Sequence, residues 1–146
     1  MFTGWSEHSI DAKGRVAIPA RFRDLLKAKR DDRLVITTSE RCLVAYPQEN
    51  WRALVDKVAR LSPLDPTVQA FRRYFVSGAI EVNLDKQGRV LLPQLLREFA
   101  GLEGSALLAG MQNCFEIWDK DRWYQERSRI QEDFGKVATM MAELGV

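Results

Sequence analysis

Two copies of one short motif hold the residues with the clearest chemical potential. Asp-x-x-Gly-Arg occurs at residues 11–15 and again at residues 85–89. An arginine in such a loop can bind phosphate, or the O6 and N7 edge of guanine, through two parallel hydrogen bonds. Arg15 can equally form a local ion pair with Asp11, an interaction of little value at a protein surface. The motif alone leaves both interpretations open.

The spacing of the motif is typical of a tight hairpin. Aspartate at the first position and glycine at the fourth favour a type I turn, completed by a left-handed glycine in a one-residue bulge. The aspartate carboxylate can accept hydrogen bonds from backbone N–H groups of the turn. We therefore assign turn-forming structural roles to four residues, which are Asp11, Gly14, Asp85 and Gly88.

The motif belongs to a longer internal repeat. Residues 10–19 match residues 84–93 at an offset of 74, and after a two-residue deletion residues 42–51 match residues 114–123. Such self-similarity indicates duplication of one structural unit. The predicted division is a first repeat over 5–51, a helical linker over 52–76, a second repeat over 77–123 and a C-terminal helix over 124–146.

Each repeat is predicted to form a hairpin, a short helix and a second hairpin. Pro19 and Pro93 are expected at the first helical position, where the missing N–H is tolerated. One unit of about 45 residues is near the lower size limit for independent folding. Two units are therefore expected to close one β-barrel around an internal pseudo-twofold axis, a mainly β fold of the α+β class.

The last predicted helix carries an apolar stripe with charged residues between its members. The stripe consists of Trp123, Ile130, Phe134, Val137 and Met141. It can pack on the barrel of its own chain, or it can clasp a neighbouring subunit. The sequence leaves both alternatives open.

The charge of the chain is unevenly distributed. Residues 1–75 contain 14 Lys and Arg against 9 Asp and Glu, a net charge of +5, whereas residues 76–146 have a net charge of −3. A basic half suggests a polyanionic partner. The sequence has no membrane-spanning run and no signal peptide, so we expect a cytoplasmic protein.

The residue types most used in catalysis and metal binding are sparse. His8 is the single histidine, and Cys42 and Cys114 lie far apart, as expected for two buried thiols in a reducing compartment. No Gly-rich phosphate loop is present, since Gly14 and Gly88 each stand alone. We therefore expect no enzyme, no cofactor, no metal site and no small-molecule substrate.

Taken together, these motifs resemble the paired D-x-x-x-R signatures of the MraZ family. The resemblance extends to Ile18-Pro19-Ala20-Arg21-Phe22-Arg23, to Leu91-Leu92-Pro93 and to Phe115-Glu116-Ile117-Trp118-Asp119. It implies an AbrB-like swapped-hairpin barrel within one chain and a ring-shaped homo-oligomer. It also implies binding to repeated G-rich DNA elements and repression of a bacterial division and cell-wall gene cluster that includes the regulator's own gene.

On this basis the hairpins are expected to meet double-stranded DNA. The predicted DNA-binding residues are Lys13, Arg15, Arg21, Arg23, Lys86 and Arg89. The arginines of the hairpins suit base edges, and a lysine suits phosphate as a point charge. Arg97, the counterpart of Arg23, is a further candidate, although the acidic second half suggests a smaller role for its cations.

Two alternative functions are retained. One is an oligomeric protein-interaction barrel that does not bind DNA, in which the hairpin arginines form salt bridges between subunits. The other is an AbrB-type antitoxin, although such proteins usually resemble a single copy of the repeat. A regulator would act in the cytoplasm at the nucleoid.

Overall fold

The computed structural model describes all residues from 1 to 146 and combines eight strands in two antiparallel sheets with six helices. The strands are β1 (Trp5–Ser9), β2 (Arg15–Ala17), β3 (Arg33–Thr38), β4 (Leu43–Pro47), β5 (Ile80–Asn83), β6 (Arg89–Leu91), β7 (Ser105–Gly110) and β8 (Phe115–Trp118). The helices are α1 (Ala20–Ala28), α2 (Gln48–Ala59), α3 (Pro66–Phe71), α4 (Gln94–Ala100), α5 (Lys120–Glu132) and α6 (Gly135–Glu143), with a π-helical turn at Arg72–Val76 after α3.

The strands of the two repeats are interleaved. Six strands form one sheet in the order β1-β7-β8-β4-β3-β5, and β2 pairs with β6 in a second sheet. The first strand of each repeat thus joins the other repeat, since β1 pairs with β7 and β5 with β3. The hairpins β1–β2 and β5–β6 connect the edges of the large sheet to the small one. The two sheets and the hairpins that join them form the predicted swapped-hairpin barrel.

Both repeats contribute to one hydrophobic core of 19 buried residues. At its centre Phe22 packs against Phe2 and Phe115, each with a ring-centroid separation of 5.1 Å. Strand alternation contributes many of the other side chains, because every second residue of a strand points inward, and α1 and α4 add Leu26, Leu96 and Ala100. Val16 and Val90, at the middle of the β2–β6 pair, are both buried. The expected mutual burial of the two units is therefore present.

The two prolines stand one position earlier than predicted. Pro19 and Pro93 immediately precede α1 and α4, with extended ψ angles of 141° and 148°. The Pro19 carbonyl already accepts hydrogen bonds from the Phe22 and Arg23 N–H groups. The extended ψ lets the chain pass from β2 into α1 within two residues, and a position before the helix also requires no N–H from proline.

The C-terminal segment forms two helices instead of the single helix expected over residues 124–146. The first, α5, begins at Lys120, where the Asp119 carboxylate accepts a hydrogen bond from the Arg122 N–H. It ends at Asp133, whose backbone leaves helical geometry (φ −120°, ψ 64°). The sequence Asp-Phe-Gly at this point contains poor helix formers, which explains the division.

Only the beginning of the C-terminal segment packs on the barrel. Trp123 is buried between Trp5 and Trp118, with ring centroids 5.7 Å from each, and the Arg127 guanidinium lies over the Trp5 ring. Beyond this cluster α6 has no buried residue. None of the helices has the length and apolar composition that crossing a bilayer requires.

Candidate nucleic-acid interface

Each Asp-x-x-Gly-Arg motif forms a hairpin loop held by its aspartate. The Asp11 Oδ1 accepts hydrogen bonds from the backbone N–H groups of Lys13 (3.0 Å) and Arg15 (2.9 Å). Asp85 Oδ1 accepts the same two bonds in the second loop, each at 2.9 Å. Gly14 and Gly88 adopt φ values of 92° and 75°, which side chains with a Cβ rarely tolerate.

The aspartates also bind the arginines of the motif through one edge of the guanidinium. Arg15 Nε lies 2.6 Å from Asp11 Oδ2, and Arg89 Nε lies 2.9 Å from Asp85 Oδ2. Arg89 Nη1 lies 3.8 Å from Asp11 Oδ2, so the two loops meet at one carboxylate. The side chains of Arg15 and Arg89 are 32% and 29% exposed. Their terminal amino groups make no hydrogen bond within the protein.

The loops are locked together by a reciprocal exchange between the repeats. The Gly14 carbonyl accepts a hydrogen bond from the Leu92 N–H, and the Gly88 carbonyl accepts one from the Ile18 N–H, both at 2.9 Å. An arginine from the opposite repeat covers each glycine. Arg97 covers Gly14, where an added Cβ would lie 2.8 Å from the Arg97 Cζ. Arg23 covers Gly88, where an added Cβ would lie 2.6 Å from an Arg23 Nη atom.

Arg23 and Arg97 differ in how their guanidinium groups are satisfied. Arg97 Nε donates a hydrogen bond to the Leu92 carbonyl at 2.9 Å. Arg23 Nε is buried without a hydrogen-bond partner. Arg97 thus has a structural function that its position in the sequence did not indicate, whereas Arg23 retains capacity for a further acceptor.

The remaining predicted cations are placed differently. Lys13 and Lys86 are exposed on the first and second loops. Arg21 instead turns towards the N-terminal segment, where its Nε donates to the Thr3 carbonyl at 3.2 Å and its guanidinium covers the Phe22 ring. The structure therefore brings five of the six predicted DNA-binding residues to the hairpins or directly beside them, and Arg21 lies apart.

The histidine and the cysteines lie outside this region. His8 Nε2 is 2.8 Å from Ser6 Oγ, and burial together with the Arg21 charge lowers the pKa of His8. Burial raises the pKa of the Cys114 thiol to about 11 and also raises the pKa of Cys42, so both thiols are protonated at neutral pH. Both cysteines are free, and no three His, Cys, Asp or Glu residues form a group that could hold a metal ion.

Comparison with known proteins identifies the family of the chain. A family model described as "MraZ protein, putative antitoxin-like" matches it twice, over residues 1–74 and 75–144. The chain belongs to the MraZ family. Proteins named "Transcriptional regulator MraZ" from Syntrophobacter fumaroxidans and Acetivibrio thermocellus are each 43% identical to it. Their alignments cover 145 residues (99% of this chain and 97% of the relative) and 147 residues (100% of both). Membership in the MraZ family makes the chain a transcriptional regulator.

Two further cations near the hairpins were not indicated by the sequence. Lys27 and Arg30 lie beside the second loop, close to Arg23 and Lys86. Both contribute to the charge of the basic first half, but only the fold shows that the end of α1 approaches a loop from the other repeat. The sequence shows that the first half is rich in basic residues, but it does not show where in the fold Lys27 and Arg30 lie.

The contact between Arg23 and Gly88 can be measured as a coupling energy. Gly88→Ala is expected to destabilise the protein by about 1 kcal/mol or more, because of its left-handed backbone and the clash with Arg23. In an Arg23→Ala background only the backbone part should remain, giving a coupling of about 0.5–3 kcal/mol in urea unfolding. Gly104→Ala, with nothing within 4 Å of its Cβ, is the control. Equal costs in both backgrounds would contradict the placement of Arg23.

The Asp11 carboxylate should make stability depend on pH in the acid range. Hydrogen bonds, first from the Arg15 N–H, lower the pKa of Asp11 from 3.8 to about 2. The stabilisation is therefore complete above about pH 4 and is lost as the pH falls through about 2. Asp11→Asn should be less stable than the parent at pH 6, and this difference should shrink between about pH 4 and 2. Urea unfolding midpoints across this range test the prediction, which a constant difference would overturn.

Proposed function

We propose that this transcriptional regulator binds double-stranded DNA sequence-specifically through its two joined hairpin loops. The observation that carries the proposal is the pair of guanidinium groups on Arg15 and Arg89, each held by an aspartate through Nε. The ion pair within each loop and a DNA contact would use different atoms of the guanidinium. The aspartate binds Nε, and the terminal amino groups would bind guanine, with Arg89 Nη1 also 3.8 Å from Asp11 Oδ2.

The cations of the hairpins are proposed to have different tasks. Two terminal amino groups of one arginine can bind guanine O6 and N7 and discriminate between bases by about 1–3 kcal/mol. Lys13 and Lys86, exposed on the loops, suit backbone phosphates. Arg23 covers Gly88 of the second loop and lines one pocket together with Lys86. Arg21 is proposed only as a marginal phosphate contact, because its present contacts are with the N-terminal segment.

The biological target is proposed from the family resemblance. The chain would repress a bacterial division and cell-wall gene cluster, starting with its own promoter, by binding repeated G-rich elements. It would act in the cytoplasm at the nucleoid. A single pair of loops offers few base contacts, so useful affinity requires several subunits to engage repeated elements at once.

Self-assembly into a ring is the second part of the proposal. Ile130, Phe134, Val137 and Met141 follow one another at spacings of four, three and four residues and are each between 38% and 43% exposed. Exposed apolar side chains grouped in one segment mark an interaction site. We assign this stripe, which has Ile130 on α5, Phe134 between the helices and Val137 and Met141 on α6, to the contact between neighbouring subunits.

Substitution of Arg15 should separate base recognition from phosphate attraction. Arg15→Ala is expected to lose discrimination between the chain's own promoter and a scrambled duplex, by about 1–3 kcal/mol. Arg15→Lys should lose the same discrimination but keep the salt dependence, because a point charge cannot form the two parallel bonds. Fluorescence anisotropy titrations at several salt concentrations measure both quantities. A folded Arg15→Ala variant that still prefers the promoter as the parent does would remove Arg15 from the interface.

Substitution within the stripe should reduce the size of the assembly. Val137→Glu places a charge on the proposed contact and is expected to yield monomers or small oligomers at concentrations where the parent forms a ring. Lys136→Glu, an exposed change on the adjacent position of α6, is the matched control and should leave the mass unchanged. Size-exclusion chromatography with light scattering gives the mass. An unchanged mass for Val137→Glu would exclude the stripe as the contact.

A further inference from the structure

A basic groove lies between the end of the first helix and the second hairpin. Arg23, Lys27 and Arg30 line it from α1 and the turn after it, and Lys86 and Gly88 line it from the opposite repeat. We call it the α1 groove. It has a volume of about 390 Å³ and is open to solvent. It begins at the loop that carries Arg89 and is therefore continuous with the proposed DNA-binding loops.

The charge of the α1 groove is more positive than its composition suggests. Three aspartates also line the groove, and two of them already form ion pairs with arginines outside its lining. Asp31 binds the Arg33 guanidinium through two hydrogen bonds of 2.9 Å, and Asp85 binds Arg89 and two backbone N–H groups. These bonds lower the pKa of both carboxyls, so both are ionised and paired. Four cations thus face one unpaired acid, Asp32.

The backbone at Arg30 has a conformation that glycine adopts more readily than arginine. Arg30 has a left-handed φ of 55° at the end of α1. Its N–H bonds to the Lys27 carbonyl, and the Asp31 N–H bonds to the Leu26 carbonyl. The end of α4 has the same pair of bonds, and there the left-handed residue is Gly101, with φ 68°. Glycine is the residue that this position favours, yet the first repeat has an arginine there.

The corresponding groove of the other repeat lacks these cations. Arg97 covers Gly14 as Arg23 covers Gly88, so the structural contact is present on both sides. At the offset of 74 the counterpart of Lys27 is Gly101 and the counterpart of Lys86 is Ala12, and Gly101 also makes the helix-end hydrogen bonds that Arg30 makes. The contact between arginine and glycine thus forms on that side without a basic lining, and we expect the lining of the α1 groove to be unnecessary for folding.

We propose that the α1 groove binds a phosphate group, supplied by the backbone of the DNA that the hairpin loops read; the inference rests on the proposed function. Lys27, Arg30 and Lys86 would surround the phosphate, and Arg23, whose buried Nε has no hydrogen-bond partner, also lines the groove. Because only one of the two related grooves is basic, each subunit holds the duplex asymmetrically. The second hairpin is fixed to the backbone, while the first has only the exposed Lys13.

The test uses the full chain with Lys27→Ala and Arg30→Gly combined. Since glycine suits the left-handed position, the thermal midpoint of this variant should be no lower than that of Arg30→Ala. Its affinity for the chain's own promoter and for a scrambled duplex should fall by the same factor. The log–log slope of affinity against salt should decrease by about 0.9 for each phosphate that the variant no longer neutralises. Discrimination between the two duplexes should stay at the parent value, unlike in Arg15→Ala.

The chain offers a closely matched control. Lys57 and Arg60 lie at the end of α2 with the same spacing, and the Arg60 N–H also bonds to the carbonyl of the lysine three residues earlier. Lys57→Ala with Arg60→Gly removes the same charge away from the groove and should leave the salt slope at the parent value. An equal decrease in both double variants would show a general charge effect and overturn the inference.

A second probe separates failure of the groove from failure of DNA binding. Inorganic tripolyphosphate, titrated into the parent and followed by amide NMR shifts, should perturb Lys27, Arg30 and Lys86 in the parent and not in the double variant. If the parent binds no DNA but shows these shifts, the proposed function fails and the groove takes a free phosphate compound. If the parent and the double variant bind DNA with the same log–log slope of affinity against salt, the groove inference is wrong. It is also wrong if the parent binds neither DNA nor tripolyphosphate.

Discussion

The structure depends on a reciprocal contact in which each hairpin loop is held by the other repeat. The carbonyls of Gly14 and Gly88 accept hydrogen bonds from Leu92 and Ile18, and an arginine from the opposite repeat covers each glycine. Neither loop could keep this position if its repeat folded alone, because the partners come from the other half. Duplication within one chain makes the exchange intramolecular and so removes the cost of bringing two molecules together.

The reciprocal contact between the loops, here called the lock, places Arg15 and Arg89 as an oriented pair. A free arginine side chain loses considerable rotamer entropy when it binds a ligand. Here Asp11 and Asp85 fix the guanidinium groups of Arg15 and Arg89 in advance, and Asp11 Oδ2 contacts both arginines. The ion pairs are partly exposed, so their contribution to stability is small. Their importance lies in orientation, because the guanidinium is planar and a contact at Nε fixes the direction in which its terminal amino groups point.

The sequence predicts most of what is local and little of what is brought together by topology. The Asp and Gly of the motif suffice for the hairpin turn, and the repeat suffices for the α+β barrel, since one unit is too small to bury its own core. The crossing of Arg23 to Gly88 was not predictable, because it depends on strand exchange that spacing does not report. The division of the C-terminal helix at Asp133 was also missed, since the apolar stripe continues across it.

The differences between the repeats separate the requirements of folding from those of binding. What the lock needs is present twice, namely the turn aspartate, the left-handed glycine and the arginine that covers it. What it does not need has diverged, as at Lys27 against Gly101 and at Lys86 against Ala12. The net charge of +5 in the first half and −3 in the second agrees with the first of these differences, whereas Lys86 is a cation of the second half. If the loops bind DNA as proposed, a symmetric scaffold that carries an asymmetric charge would distinguish the two directions of the duplex, which a symmetric pair of loops could not do.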